Sequence, residues 1–200
     1  VQTSDTIRQA IAAGVTICGE NRVQEMTAHL DDDAYAGAAL HFIGHLQTNK
    51  VRQVVGRVEL IESVGSEHLL EAIEAQAAKL ELVQDILLEV NIGGEASKSG
   101  ISPEELSALA AQAVGSPHVR LRGLMAIPPV SPEPGANRPF FAAMRQLFVD
   151  IKGKMAHNQD DMDCLSMGMS GDYADAIAEG STLVRVGTAL FGPRPPMTKQ

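Results

Sequence analysis

Near the C-terminal end, residues 165–192 read LSMGMSGDYADAIAEGSTLVRVGTALFG, with Arg185 set between two valines. Two pairs of small residues, Ser170–Gly171 and Gly187–Thr188, each follow an apolar run. Serine and threonine hydroxyls and unobstructed glycine amides, brought to one point, make a nest for an anion such as phosphate. Arg185 lies two residues before Gly187, so on a strand the two share a face. A guanidinium on an inward face needs a partner, because an unpaired buried charge is costly. Two readings stand. Arg185 faces a ligand beside the anion nest, or it is a core arginine paired with a carboxylate such as Glu20 or Glu89.

Those residues need strands to carry them. Seven apolar, β-rich runs recur along the chain, at 15–19, 40–44, 58–64, 86–92, 119–127, 164–169 and 183–192. Helical patterns lie between most of them. Ile7, Ala10 and Ile11 share one face, and Gly14 reads as a stop. Val23, Met26 and Leu30 form a second stripe. Ser66 precedes a third helix with Leu69, Leu70, Ile73, Ala77 and Leu80 turned inward. At residues 102–114, Ser102 is the predicted N-cap, Pro103 the first helical residue and Glu105 the closing member of a capping box. Phe140, Phe141, Met144, Leu147, Phe148 and Ile151 make the apolar side of another. The proline-rich stretch at 128–139 reads as a loop within one domain, residues 1–200.

Alternating strands and helices imply parallel strands with helical crossovers, in an open doubly wound sheet or a closed (β/α)8 barrel. No Gly-x-Gly-x-x-Gly follows an early strand, which weighs against a dinucleotide fold. The chain opens on a helix-start pattern, TSDTIRQAI, of the kind that follows a strand. The expected fold is therefore a (β/α)8 TIM barrel lacking its first strand. In such barrels the site lies at the C-terminal ends of the strands, with phosphate held after the last two. Ser170 and Gly187 fall in those places.

The 200 residues carry a formal charge of -9, with 44% hydrophobic and 20% charged residues. That balance fits one globular core and argues against non-specific nucleic-acid binding, which needs clustered Lys and Arg. No apolar run reaches the length of a membrane span. Cys18 and Cys164 sit in apolar runs and are expected to be reduced core thiols of a cytoplasmic protein. His41 and His45 lack the further ligands a metal site needs, so no metal is expected. Lys50 and Lys98 read either as ordinary loop lysines or as attractors of an anion.

Longer motifs run through the whole chain: CGENRVQE (Cys18–Glu25), HFIGHLQTNK (41–50), EASKSGI (95–101), LRGLMAIPP (121–129) and the 165–192 stretch above. Together they resemble the pyridoxal 5′-phosphate homeostasis proteins, a group related to the N-terminal barrel of alanine racemases. The resemblance implies a single-domain barrel that binds pyridoxal 5′-phosphate (PLP), with a role in vitamin B6 and amino-acid homeostasis and no robust catalysis. It implies that Arg185 faces the pyridine nitrogen and that Ser170, Gly187 and Thr188 hold the phosphate. Asn21 and Asn91, at strand ends, are expected to line the pocket or to serve as local caps. The family's Schiff-base lysine ends its first strand, and its place falls just upstream of Val1, so the resemblance implies a barrel lacking its first helix and first strand as given, with no catalytic residue expected within this chain.

Three functions are thus in view: a PLP-binding homeostasis protein, a PLP-dependent amino-acid racemase, and a barrel enzyme acting on another phosphate ligand. PLP is the expected small-molecule partner, with no nucleic acid or membrane, and a monomer is expected.

Overall fold

The computed structural model describes residues 2–95, 98–131, 133–155 and 160–192. Its elements follow one another as α1 (Ser4–Ala12), β1 (Ile17–Glu20), α2 (Val23–Asp31), β2 (Ala39–Phe42), a 3-10 turn (Thr48–Gln53), β3 (Leu60–Val64) and α3 (Glu67–Lys79). Then come β4 (Gln84–Glu89), α4 (Leu106–Gly115), β5 (Val119–Met125), α5 (Arg138–Lys154), β6 (Cys164–Met169), α6 (Tyr173–Ala178), β7 (Leu183–Arg185) and α7 (Thr188–Phe191). Each of the seven expected strand runs overlaps one strand.

Local chemistry sets the helix starts. Thr3 caps α1 by accepting from the Thr6 amide, and Ser66 caps α3 by accepting from the Leu69 amide at 3.2 Å. At residues 102–105 the capping box forms. The Ser102 amide and hydroxyl both donate to Glu105, and the Glu105 amide donates back to Ser102 Oγ. The bonds from Ser102 hold the Glu105 carboxyl below its ordinary range. The box closes a turn ahead of the helix, so Pro103 is not its first residue as expected; the regular helix begins three residues further on, at Leu106, with Glu105 at its N-cap.

All seven strands are parallel, in the order β1-β2-β3-β4-β5-β6-β7. Sequential order with helical crossovers is the topology of a β/α barrel, and here seven strands make it nearly closed. β1 and β7 are the two edges of the sheet. The larger apolar core gathers Phe42, Ile61, Leu70, Ile73, Ile86, Leu88, Leu121, Phe141 and Met144, joining the sheet to its helices. A small second cluster, Leu60, Leu87 and Met125 with Ile127 and Cys164 against it, belongs to the barrel interior.

One element differs from expectation. The last run, 183–192, is extended only over Leu183–Arg185, and residues 188–191 turn into the short α7. The amides of Gly187 and Ala189 donate to Ser170 Oγ instead of continuing a ladder.

Candidate functional site

The strand ends converge on one cavity of about 680 Å³. That lies within the range of small-molecule sites, about 300–1,000 Å³. Asn21 enters from the end of β1, Ile43 from β2, Ile127 and Val130 from beyond β5, Met169, Ser170 and Gly171 from β6, and Val184 to Thr188 from β7. The two edge strands thus both wall it. Five of the six residues proposed from sequence meet here: Asn21, Ser170, Arg185, Gly187 and Thr188. Asn91 does not line it. Its side-chain amide donates to the Glu95 carbonyl at 2.9 Å and accepts from the Glu95 amide at 3.3 Å, closing its own loop.

Asn21 reaches the wall because β1 and β2 end in close contact. The Ile43 amide donates to the Glu20 carbonyl at 2.8 Å. A Cβ on Gly44 would stand 2.1 Å from the Asn21 carbonyl oxygen, so only glycine admits that approach.

At the other edge, Ser170 Oγ accepts from the backbone amides of Gly187 at 3.1 Å and Ala189 at 3.2 Å. Two main-chain donors therefore aim at one point, and a hydroxyl stands where an anionic oxygen could. The glycines fit this role. A Cβ built on Gly171 or Gly187 meets nothing within 4 Å. Neither has a positive φ, so no turn demands glycine. The open space belongs to the cavity. Hydroxyls, amides and apolar walls of this kind suit a phosphorylated, largely flat ligand such as PLP.

Arg185 is buried, its side chain 8% exposed. Its Nη1 donates to Ser166 Oγ, and its Nη2 to the Ala126 carbonyl at 2.9 Å. Its nearest carboxylate is Glu62, with Nη1 and Oε2 3.9 Å apart. Ser166 Oγ donates to that same Oε2 at 2.6 Å, and His41 Nδ1 lies 2.8 Å from Oε1. Glu62 is 1% exposed. Neither carboxylate expected beside Arg185 takes that place. Glu20 turns to α2 and its following turn, accepting from Tyr35 Oη at 2.6 Å with His29 Nδ1 at 2.9 Å. Glu89 is felt by Arg185 electrostatically, but burial dominates and raises the Glu89 carboxyl above its ordinary range. Burial likewise lowers Arg185 from its ordinary value, with Glu62 the first of several groups opposing that shift.

Sequence reasoning missed Glu62 and Ser166. A signal was present: of the two carboxylates within VELIESV, Glu62 lies two residues from the inward Leu60, while Glu59 is on the opposite alternation. The alternation that turned Arg185 inward applies to it equally.

Other candidates resolve locally. His41 faces Glu62, while His45 Nδ1 lies 3.1 Å from Ser99 Oγ. Lys98 is ion-paired with Glu95 and donates to the Pro128 carbonyl at 3.1 Å, so it is a loop lysine. Both cysteines are free. Burial pushes the Cys164 thiol up to about 12, helped by the Glu62 charge, and raises that of Cys18. Among the described residues lining the cavity there is no lysine.

This fold and this site define the N-terminal barrel of alanine racemases, and the model of that domain matches residues 3–195. An alanine racemase of Clostridium difficile superposes with a TM-score of 0.76 over 96% of this chain and 49% of its own, at 13% identity. That likeness establishes the fold alone. The sequence narrows it further: the chain belongs to the family of pyridoxal phosphate homeostasis proteins. It is 42% identical over 190 residues to the Aquifex aeolicus protein of that name, covering 95% of this chain and 82% of the relative. With the Escherichia coli K12 protein it shares 40% identity over 96% of this chain and 81% of the other. The structure of PipY from Synechococcus elongatus with PLP bound superposes with a TM-score of 0.84, at 34% identity, over 96% of this chain and 88% of that one.

Proposed function

We propose that this chain binds PLP in the cavity between β1 and β7 and serves PLP homeostasis as a carrier or regulator. The observation that carries the reading is the convergence of the Gly187 and Ala189 amides on Ser170 Oγ, beside a buried arginine. Ser170, Gly187 and Thr188 hold the phosphate. Ile43, Ile127 and Met169 supply apolar wall for the ring, and Asn21 a polar group at its rim. When bound, PLP supplies an aldehyde that condenses reversibly with primary amines.

Arg185 donates to the pyridine nitrogen. A guanidinium holds its protons too tightly to yield one, so the ring nitrogen stays unprotonated and the ring is a poor electron sink. That favours holding PLP over carbanion chemistry. Racemisation needs acid–base groups on both faces of the reacting carbon. The relatives at about 40% identity are named for homeostasis, which supports the carrier reading over a racemase.

In this reading the molecule is a single-domain monomer. One contiguous core running from Ile7 to Ala176 supports the single domain. The formal charge of -9 supports the absence of a nucleic-acid partner. Among the described residues no helix is long and apolar enough to cross a membrane. Two free cysteines fit the cytoplasm.

Equilibrium dialysis against PLP tests the assignment. Ser170→Asp sets a carboxylate against the phosphate, and like charges in contact cost several kcal/mol. Affinity should fall about a hundredfold or more. Unchanged affinity would place the phosphate elsewhere.

A further inference from the structure

Arg185 is usable by a ligand only if something holds it still and balances its charge. In the barrel interior that task converges on one residue. Glu62 Oε2 accepts from Ser166 Oγ at 2.6 Å, and Ser166 Oγ in turn accepts from Arg185 Nη1. A hydroxyl has one proton to give. Ser166 spends it on Glu62, which turns its lone pairs to the guanidinium. On the other oxygen, His41 Nδ1 lies 2.8 Å away. All four side chains are buried.

The charge states follow from the same geometry. Arg185 is permanently cationic, and a neutral network would leave that buried charge uncompensated. Glu62 is therefore the anion, and as an anion it only accepts. His41 must then carry a proton on Nδ1. Its other ring nitrogen makes no hydrogen bond among the described residues, and the residue lines the ligand cavity.

We infer that Glu62 is the positioning residue of this cavity. Through Ser166 it fixes the Arg185 guanidinium, and directly it locks the tautomer of His41. The part concerning Arg185 and a ring nitrogen rests on the PLP reading above; the part concerning His41 does not.

Two ring analogues of PLP without the aldehyde separate these parts. One is 4′-deoxypyridoxine 5′-phosphate, and the other has its ring nitrogen replaced by CH. Wild-type protein should prefer the pyridine by about tenfold or more, as a hydrogen bond to a charged donor implies. Glu62→Gln keeps the shape and removes the charge. It should shrink that preference to about twofold, while affinity for inorganic phosphate, held at Ser170, is unchanged. Ser166→Ala should do the same and serves if the first variant does not fold. A preference that survives both substitutions overturns the role of Glu62 toward Arg185.

Ligand-free protein decides the rest by nitrogen NMR. His41 should be the Nδ1–H tautomer. The Arg185 Nη protons should be resolved in wild type and averaged in Glu62→Gln. An Nε2–H tautomer, or Arg185 signals indifferent to Glu62, overturns the inference. Wild-type protein that binds neither analogue sinks the PLP reading instead, and the NMR result still judges Glu62.

Discussion

At the scale of single residues, charge in the barrel interior decides what can be read and what is at stake. Arg185 was legible as an inward cation because two valines flank it. Its partner was harder to find. Glu20, Glu62 and Glu89 all sit on strands, and only the three-dimensional register brings Glu62 to Arg185 through a serine on β6. Glu89 stays apart, buried without a hydrogen bond to its carboxyl among the described residues. Its carboxyl is raised by burial, so folding favours the protonated form. The stabilising protonation is complete below the unfolded carboxylate range and is lost as pH rises through the folded value. Glu89→Gln should therefore raise the melting temperature at pH 7.5, and its advantage should shrink as pH falls toward the carboxylate range. Paired melts across pH 4 to 8 check this. An advantage independent of pH would contradict the burial argument.

Among the elements, helices and strands were legible because their signals are local. Ser66 and Ser102 announce helix starts by hydroxyls that cap amides three residues on. Apolar runs announce strands. The end of β7 was not legible, since Thr188–Phe191 has apolar residues that suit either state. A contact from β6, Ser170 with the Gly187 and Ala189 amides, decides it. Asn91 stayed open between its two readings for a related reason: a strand-end asparagine can face a site or close its own loop, and only the loop's path shows which. Gly44 is the element-scale counterpart at β1 and β2. Gly44→Ala forces a Cβ against the Asn21 carbonyl, at 2.1 Å before relaxation. Overpacking of this kind costs about 1–3 kcal/mol. Urea unfolding should register that loss, and PLP affinity should fall as the Asn21 wall shifts. A variant as stable as wild type would show that the strand ends part freely.

For the whole molecule, the architecture explains how an acidic protein can hold an anion. The formal charge is -9, yet the proposed site draws on only two backbone amides, two hydroxyls and one arginine, which together make a local positive spot on an acidic molecule. The barrel brings them together by placing β6 and β7 side by side at one edge, with β1 across the cavity. Parallel alternation was legible from periodicity, and the sequential order of strands followed only once the barrel was preferred to a doubly wound sheet. The polar network inside was not, because it joins residues 104 positions apart. The central claim is that the phosphate of PLP sits on the β6–β7 edge. Amide NMR during titration with 4′-deoxypyridoxine 5′-phosphate tests it most directly. The largest shifts should fall on Ser170, Gly171, Gly187, Thr188 and Ala189, and should be lost in Ser170→Asp. Shifts centred on other strand ends, or saturable binding that leaves these five amides unmoved, would contradict it.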